Sequence, residues 1–340
     1  MKKHKNIPIF IPHLGCPNEC VFCNQRTISG TRDFDITSVR SLIDRALSTI
    51  DRSKTDVQLA FFGGSFTGID REDMLYLLGI GKEYIDSGKV SSVRLSTRPD
   101  YISTEILEIL RLHGVRSIEL GIQSMSDKVL SVCGRGHTAE QTRRACCIIK
   151  EYGFDLVGQM MTSLPASTPE DDRNTAREIC RMGATGARIY PTMTFCGTEM
   201  ENMMKRGEYT PPSLEESVAV CADVFEIFTE AGIEVIRIGL AEGEGLHSDD
   251  GIVGGEYHPA MGELVTSEYY RRLLCRQLDS LPFSPSEKKA VVYCAPGETS
   301  KVIGQKRYNK IFINNEYSVK IEKVIEKKDF LRYNCTIVIL

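Results

Sequence analysis

Apolar and polar residues alternate along the chain with two different periods. Short runs rich in β-branched and aromatic residues predict strands, at positions 7–11, 57–62, 92–96, 117–122, 154–161, 187–190 and 234–238. Between them, apolar residues recur three and four positions apart, which predicts helices, at positions 38–50, 71–85, 104–113, 139–152, 169–182 and 214–231. Thr168 precedes an acidic first turn that contains Asp171, so we expect it to cap its helix.

Strand–helix units repeated in series predict one parallel sheet with right-handed crossovers. We expect an α/β fold in which the sheet closes into a partial, TIM-like barrel of the (β/α)6 type, with ligands at the carboxyl ends of the strands. The alternation stops in the acidic, Gly-rich segment 240–258, which is too long for a routine connection. The sequence therefore predicts a barrel domain over residues 1–280, ending in a helix at 261–278, and a small C-terminal α+β domain over residues 281–340.

The C-terminal domain is predicted to consist of strands around a short helix. Its strand-like runs are residues 290–295, 310–314, 317–324 and 335–340. Residues 281–340 contain eleven Lys and Arg against six Asp and Glu, a net charge of +5, whereas the rest of the chain has 31 against 40, a net charge of −9. A basic tail on an acidic body indicates a polyanion as a partner. A solvated charged face explains a charge of this size equally well.

The twelve cysteines bear on both the location and the chemistry of the chain. No signal peptide is visible and no apolar run has the length of a membrane span, so we expect a cytoplasmic protein with no membrane partner. In such a chain a tight cysteine cluster indicates metal or redox chemistry rather than disulfides. Only Cys16, Cys20 and Cys23 form a cluster, and the other nine are interpreted as small buried apolar residues.

The clustered cysteines follow the first predicted strand directly, in GCPNECVFCNQ. Thiolates at C-x3-C-x2-C spacing can converge on one face of a loop and ligate iron. Three ligands leave one iron of a cubane cluster without a protein ligand, and an open metal position of this kind accepts a small chelating molecule. The alternative is a zinc site with His13 as a nearby fourth ligand, although zinc modules usually contain a second cysteine pair.

Further motifs lie at the ends of the later predicted strands. In chain order they are FFGGSFTG, LSTRPDYI, IELGIQS, CGRGHTAEQT, DLVGQMMTSLPAST and ARIYPTMTFCGTEMENMMKRGEY. Together with the cysteine spacing, and with Phe22 before the third cysteine, they resemble the radical S-adenosylmethionine (radical SAM) superfamily. Within it, the motifs resemble the radical SAM domain of the catalytic subunit of Elongator. They also resemble short bacterial Elongator-like proteins that lack the acetyltransferase domain of that subunit. Oxygen-independent coproporphyrinogen oxidase is a looser resemblance.

The resemblance implies two cofactors and a set of residues that bind them. A 4Fe-4S cluster would be ligated by Cys16, Cys20 and Cys23, and its remaining iron would be chelated by S-adenosylmethionine. The other residues implied to contact the cofactor are Gly63, Gly64, Ser65, Gln123, Arg135 and Gln159. Arg135 is a candidate partner for the cofactor carboxylate. Arg188 and Tyr190 are implied to lie near the adenosyl end or the substrate and to take part in catalysis.

Three functions fit these observations. The first is a radical SAM enzyme that modifies a tRNA base, which the Elongator-like motifs and the basic tail favour. The second is a radical SAM enzyme acting on a small metabolite, favoured by the acidic body and by the looser resemblance. Both imply an electron donor of the flavodoxin or ferredoxin type. The third is a non-catalytic iron–sulfur or zinc protein. Residues 281–340 are too few for an acetyltransferase domain, so we do not expect acetyl transfer.

Overall fold

The computed structural model describes residues 3–11, 16, 20–24, 34–240, 246, 251–281 and 288–340. Its strands are β1 (Lys3–Phe10), β2 (Thr55–Phe62), β3 (Ser92–Thr97), β4 (Val115–Gln123), β5 (Asp155–Thr162), β6 (Gly186–Pro191), β7 (Thr194–Phe195), β8 (Glu234–Ile238), β9 (Ile252–Gly254), β10 (Lys288–Cys294), β11 (Val319–Glu326) and β12 (Cys335–Ile339). Each of the seven strand runs expected in the barrel corresponds to one of these strands.

Each helix predicted in the barrel from the spacing of apolar residues is also present in the structure. They are α1 (Val39–Ser48), α2 (Arg71–Asp86), α3 (Thr104–Leu112), α4 (Asp127–Val132), α5 (Ala139–Glu151), α6 (Pro169–Arg181), α7 (Glu199–Lys205), α8 (Leu214–Glu230), α9 (Met261–Asp279), α10 (Thr299–Ile303) and α11 (Tyr308–Tyr317). The two shorter helices α4 and α7 were not expected from the periodicity, because six or seven residues hold too few turns for it to show.

Seven parallel strands form the main sheet, in the order β1-β2-β3-β4-β5-β6-β8. The strand order follows the chain order, as expected when each strand is joined to the next by a helical crossover. The sheet curls into a half-barrel, so the predicted partial TIM-like fold is confirmed. Because all seven strands are parallel, their carboxyl ends lie at one edge, where the segments that carry the motif residues begin.

Helix starts are fixed by side chains that the sequence places at the caps. The Thr168 side chain accepts a hydrogen bond from the Asp171 amide, and the Asp171 carboxylate accepts one from the Thr168 amide, which confirms the expected cap of α6. Helix α5 begins in the same way at Thr138, and α8 begins in the same way at Ser213. Each cap stabilises its helix by about 1 kcal/mol, and together they fix where the chain leaves the sheet.

The two faces of the sheet have different chemistry. Every second residue of a strand faces the helices. On this outer face the residues are apolar and fully buried, for example Leu59, Leu95 and Ile118. The intervening residues on the inner face of the half-barrel include buried charged side chains, among them Arg94 and Glu119. Strands with one apolar and one polar face are unusual in a parallel sheet covered on both sides, so the inner face has a role other than packing.

The C-terminal part is an α+β unit with its own small sheet, in the order β11-β10-β12. Strands β10 and β11 are parallel, and β10 and β12 are antiparallel. Its apolar core also includes Tyr270, Leu274 and Leu278 of α9, which therefore contacts both parts of the protein. Among the described residues, no helix is long and apolar enough to span a membrane.

The prediction of one strand in this unit is wrong. Residues 310–314 belong to α11 rather than to a strand. Asn309, near the start of α11, is buried and donates hydrogen bonds from its amide nitrogen to the carbonyl oxygens of Ser267 and Val302, at 2.9 and 3.2 Å. This tertiary contact holds the segment against α9 as a helix, and packing overrides the β propensity of its isoleucines and phenylalanine.

The contact between β5 and α6 gives a prediction about packing. A Cβ atom added at Gly158 would lie 2.6 Å from Cγ2 of the buried Ile179, a distance at which one of them has to move. We expect Gly158→Ala to lower the free energy of unfolding by about 1–3 kcal/mol through overpacking. Gly79→Ala is the matched control, because it lies in the interior of α2 with open space around the new Cβ, and it should stabilise the protein by about 1 kcal/mol.

Both variants are measured by urea denaturation at constant m value. Equal stability of Gly158→Ala and the wild type would contradict this packing of β5 against α6.

Candidate metal and cofactor site

The cysteine segment lies at the carboxyl end of β1. The pairing of β1 with β2 extends to Ile11, whose amide donates to the Phe62 carbonyl at 2.7 Å. Cys16 is half-buried, and its sulfur lies 3.5 Å from the Ser65 hydroxyl oxygen. Cys20 is buried, and its carbonyl oxygen accepts the amide hydrogen of Cys23 in a tight turn at 2.9 Å. The segment therefore brings its thiols to the strand ends, as the sequence predicts.

Two buried arginines face the sulfur of Cys20. Arg135 donates from Nη1 to this sulfur at 3.3 Å and from Nη2 to the Gly121 carbonyl at 2.6 Å. Arg98 lies with its Nη1 3.9 Å from the same sulfur and is held by the Asp100 carboxylate through two bonds of 3.0 Å. Arg98 also donates to the Arg135 carbonyl. The two guanidinium groups therefore place positive charge beside this sulfur, an arrangement that suits a negatively charged metal cluster.

Gly63 and Ser65 occupy the position after β2 where the backbone passes close to β1. Gly63 has φ +112°, and a Cβ at this residue would lie 3.1 Å from the backbone nitrogen and oxygen of Ile11. Only glycine combines this dihedral angle with this close approach. Gly64 is half-buried, and Ser65 is 1% exposed beside Cys16. Ser65 therefore borders Cys16, and Gly63 packs against the end of β1; their predicted contact with the cofactor stays a prediction.

Gln123 ends β4 in a left-handed backbone conformation, with φ 64°. The register between β4 and β5 shifts at this point, where Gln123 lies opposite Met160. The side chain is buried, and its Oε1 atom has no hydrogen-bond partner among the residues the structure describes. A buried amide oxygen without a donor costs about 1–3 kcal/mol. A strained, unsatisfied residue at this place is typical of a ligand site.

Gln159, Arg188 and Tyr190 lie further along the sheet, on β5 and β6, where Gln159 is paired with Arg188. The Arg188 Nε donates to the carboxylate of Glu119 on β4 at 2.8 Å. Burial raises the pKa of Tyr190, which keeps the phenol protonated. The described contacts do not join these three residues to the cysteines, so the predicted residues form two groups, one at the strand ends and one on the inner face.

The sequence analysis missed Arg98, Asp100, Arg94 and Glu119. The signal for Arg98 was present in LSTRPDYI, where a cation follows a buried strand directly and precedes a helix-breaking proline. Arg94 is the one charged residue of β3, and Glu119 lies between the apolar residues Ile118 and Leu120 of β4. A charged residue in such a strand indicates a polar inner face, and this pattern would have revealed both residues.

His137, which follows Arg135 closely in the chain, is buried. Its pKa is lowered to about 4 by burial, with a smaller effect from the nearby Arg135 cation, so the imidazole is neutral near pH 7. Burial likewise raises the pKa of the thiols of Cys133, Cys146, Cys221 and Cys335 to about 12. Thiols of this kind are poor metal ligands. Cys147, by contrast, is exposed and does not fit the expectation of burial.

The donor set at the strand ends fits an iron–sulfur cluster in its chemistry. It offers three thiols, with buried guanidinium groups beside the sulfur of Cys20. Within the described residues, no three Cys, His, Asp or Glu side chains converge closely enough to hold a metal. His13, the alternative fourth ligand for zinc, lies outside the described residues. The fit to a cluster therefore rests on the donor types and on the two arginines.

Two family descriptions match the chain in succession. Residues 10–179, half of the chain, match the radical SAM superfamily, and residues 184–271 match the C-terminal domain of radical SAM proteins. These proteins and their solved structures imply S-adenosylmethionine and an iron–sulfur cluster as cofactors.

Similar curated proteins include tRNA uridine(34) acetyltransferases and Elongator complex protein 3. The tRNA uridine(34) acetyltransferase of Methanocaldococcus infernus is 37% identical over 130 residues, which are 37% of this chain and 24% of that protein. The protein of the same description from Dehalococcoides mccartyi is 24% identical over 257 residues, 64% of this chain and 55% of the relative. Elongator complex protein 3 of Saccharomyces cerevisiae is 24% identical over 64% of this chain and 46% of its own length. The matches thus span from a quarter to about half of these relatives.

Solved structures support the fold. Elp3 of the archaeon Methanocaldococcus infernus, without residues 1–46, superimposes with a TM-score of 0.64 and 21% identity over 86% of this chain and 71% of that chain. Coproporphyrinogen III oxidase (HemN) from Escherichia coli, described as a radical SAM enzyme, has a TM-score of 0.50 and 16% identity over 68% of this chain and 53% of its own. At these identities the similarity concerns the half-barrel.

The cysteine segment gives a prediction about metal content. Anaerobically reconstituted protein should hold about four irons per chain, as one cubane requires. Changing Cys16, Cys20 or Cys23 to Ala should remove most of this iron, because each change deletes a ligand. Cys147→Ala is the control and should leave the iron content unchanged, since that thiol is exposed and lies on α5. Iron and zinc are counted by plasma mass spectrometry, and stoichiometric zinc without iron would contradict the cluster.

Proposed function

This chain belongs to the radical SAM superfamily, and we propose that it holds a 4Fe-4S cluster on Cys16, Cys20 and Cys23, cleaves S-adenosylmethionine reductively and uses the resulting radical to modify a tRNA base. Members of the superfamily are enzymes. The names of the curated relatives support tRNA as the substrate, and the half-barrel supports the chemistry.

The observation that carries the proposal is the placement of Arg98 and Arg135 at Cys20. Both guanidinium groups are buried, and an arginine cannot lose its proton in a protein. Arg98 is paired with the Asp100 carboxylate, but the described hydrogen bonds of the Arg135 side chain go to the Cys20 sulfur and a carbonyl oxygen, so its fixed charge would be costly beside a neutral thiol. Beside a thiolate cluster Arg135 has a partner of opposite charge, and both cations would raise the reduction potential of the cluster.

When bound, the cluster supplies one electron to the sulfonium of S-adenosylmethionine, which yields methionine and a 5′-deoxyadenosyl radical that abstracts a hydrogen atom from the substrate. The chain's own residues bind and orient the cofactor. Gly63 and Gly64 leave room for the backbone to approach it, and Gln123 offers its unpaired amide oxygen to an amine or hydroxyl hydrogen. The Nε of Arg135 is buried without a partner in the described structure, which leaves one N–H for the cofactor carboxylate.

Arg188, Tyr190 and Gln159 would line the substrate side of the cofactor. They lie on adjacent strands whose inner face is continuous with the strand ends. We expect Arg188 to be fixed in place by Glu119, whose carboxylate accepts the Nε hydrogen at 2.8 Å. The reducing electron would come from a donor of the flavodoxin or ferredoxin type.

Two groups of basic residues in the C-terminal unit lie at opposite ends of α11. Lys306 and Arg307 precede α11, and Lys310 lies in its first turn. Lys289 lies near the other end of α11, where the neighbouring Lys288 amide bonds the Ser318 carbonyl. A helix of ten residues separates its ends by about 15 Å. Lys289 is paired with Glu322 at 2.7 Å, so the group around Lys306 is the better candidate for binding a phosphate backbone.

A second candidate function is a radical SAM enzyme acting on a small metabolite. The observation that favours it is the charged inner face of the half-barrel, where Arg94, Glu119 and Arg188 are buried together. Charged groups on this inner face would bind a small polar molecule as readily as a tRNA nucleotide that is turned out of its helix. Salt-sensitive tRNA binding distinguishes the two functions.

Arg135 gives a prediction about cofactor binding. Removing a charge-assisted hydrogen bond costs about 1.5–3 kcal/mol, so Arg135→Ala should weaken binding of S-adenosylmethionine to the reconstituted protein by at least tenfold. Arg116→Ala is the control, because this exposed residue of β4 pairs only with Asp155 among the described contacts. Isothermal titration calorimetry under anaerobic conditions measures both variants. An unchanged dissociation constant would remove Arg135 from the cofactor site.

The group around Lys306 gives a prediction about RNA. We expect tRNA affinity to fall steeply with salt, and changing Lys306, Arg307 and Lys310 to Ala should reduce the slope of log K against log salt by roughly one unit per residue. Binding should weaken alike for all tRNAs, because phosphate contacts carry no sequence information. Lys289→Ala is the control and should change little. If the wild type shows no salt-sensitive tRNA binding in filter assays, the small-metabolite function becomes the better one.

A further inference from the structure

Arg94 is a buried cation on the inner face of the half-barrel that the proposed chemistry does not use. It lies on β3, is 6% exposed, and points toward Glu119 of the neighbouring strand β4. Its Nη2 atom is 3.6 Å from the Glu119 Oε2, which is too long for a hydrogen bond. The same oxygen accepts a bond of 2.8 Å from Arg188. Glu119 is therefore committed to Arg188, and Arg94 is left with a distant ion pair.

The unpaired atoms of Arg94 form one edge of its guanidinium group. Nε and Nη2 are both buried, and neither has a hydrogen-bond partner within the described part of the chain. These two nitrogens present parallel N–H bonds, the arrangement that binds both oxygens of a carboxylate or a phosphate. A buried charged donor without a hydrogen-bond acceptor is costly, so an oxyanion that bonded to this edge beside Glu119 would stabilise it.

Two cations meet at one carboxylate beside this edge. Glu119 is shared by Arg94 and Arg188, at 3.6 and 2.8 Å, and the more distant carboxylate of Asp155 also acts on Arg94. The ring of Phe62 lies close to both cations, 5.9 Å from the guanidinium carbon of Arg94 and 5.6 Å from that of Arg188. An aromatic face offsets only part of a buried charge. The cations at the strand ends differ, because Arg98 and Arg135 face the sulfur of Cys20.

The inner face beside Arg94 is less tightly filled than the outer face. Ser96, Phe62, Gln159 and Tyr190 are only half-buried, although they lie on the same central strands as fully buried outer residues. By contrast, Leu95, which follows Arg94 on the outer face, is fully buried. A ligand group would therefore approach the Arg94 edge from the lumen, on the side where these half-buried residues lie.

We infer that Arg94 is an oxyanion subsite, and that the substrate of this enzyme carries a phosphate or carboxylate group that binds its Nε–Nη2 edge, with Arg188 beside it and Phe62 as a wall. This inference rests on the proposed function for its assignment to the substrate. The negatively charged group of the substrate fixes how deeply the substrate enters the barrel. The negative charge of Glu119 limits the affinity of the subsite and orients Arg188.

The test uses the reconstituted full-length protein with S-adenosylmethionine bound, and inorganic phosphate and acetate as separate probes, each titrated by calorimetry. We expect saturable binding of at least one probe, and the stronger one tells whether the substrate group is a phosphate or a carboxylate. Arg94→Gln should weaken this binding at least tenfold, and Arg116→Gln, on the exposed face of β4, should not. Glu119→Gln should strengthen it several-fold, a gain that misfolding cannot produce.

Absence of saturable binding of either probe to the wild type would overturn the subsite, as would equal effects of Arg94→Gln and Arg116→Gln. Cleavage of S-adenosylmethionine by the same wild-type preparation is measured in parallel, so the two hypotheses fail separately. Cleavage without anion binding overturns the subsite and leaves the proposed function intact. Anion binding without cleavage overturns the proposed function and, with it, the assignment of Arg94 to a substrate.

Discussion

The contact of two buried guanidinium groups with the sulfur of Cys20 is the interaction on which the site depends. It joins three segments that are distant in sequence: the cysteine segment after β1, Arg98 at the end of β3, and Arg135 after β4. Asp100 and the carbonyls of Gly121 and Arg135 hold the cations in place. The Asp100 carboxylate balances the charge of Arg98, whereas the described hydrogen bonds of the Arg135 side chain go to the Cys20 sulfur and the Gly121 carbonyl oxygen. Negative charge at this sulfur would therefore stabilise the arrangement of the strand ends around Arg135.

The parallel sheet makes this convergence possible and also divides the site into layers. Strand ends carry Gly63, Gln123 and the arginines that face Cys20, whereas Arg94, Glu119 and Arg188 lie deeper on the inner face. A cofactor at the strand ends would therefore lie above a substrate in the lumen. The polarity of the inner face costs stability, which the apolar outer face and the capped helices offset.

Much of the fold follows from periodicity, because each strand and each long helix is amphipathic or apolar over its whole length. Segment 310–314 was assigned wrongly, since its helix depends on the buried Asn309 contacts and not on local propensity. The cysteines, glycines and Gln123 were found through motifs at strand ends. Arg98, Arg94 and Glu119 were missed, because the role of a buried charge depends on partners that lie on other strands.

Electron paramagnetic resonance of the anaerobically reconstituted, reduced protein tests most directly whether S-adenosylmethionine binds a cluster held by these cysteines. Spectra are recorded at low temperature with and without the cofactor. A single fast-relaxing signal of a reduced cubane, with g values that shift when S-adenosylmethionine is added, is the expected result, because the cofactor would chelate the iron that the protein leaves open. A signal that the cofactor does not change, or no cluster signal at all, would contradict the proposed function.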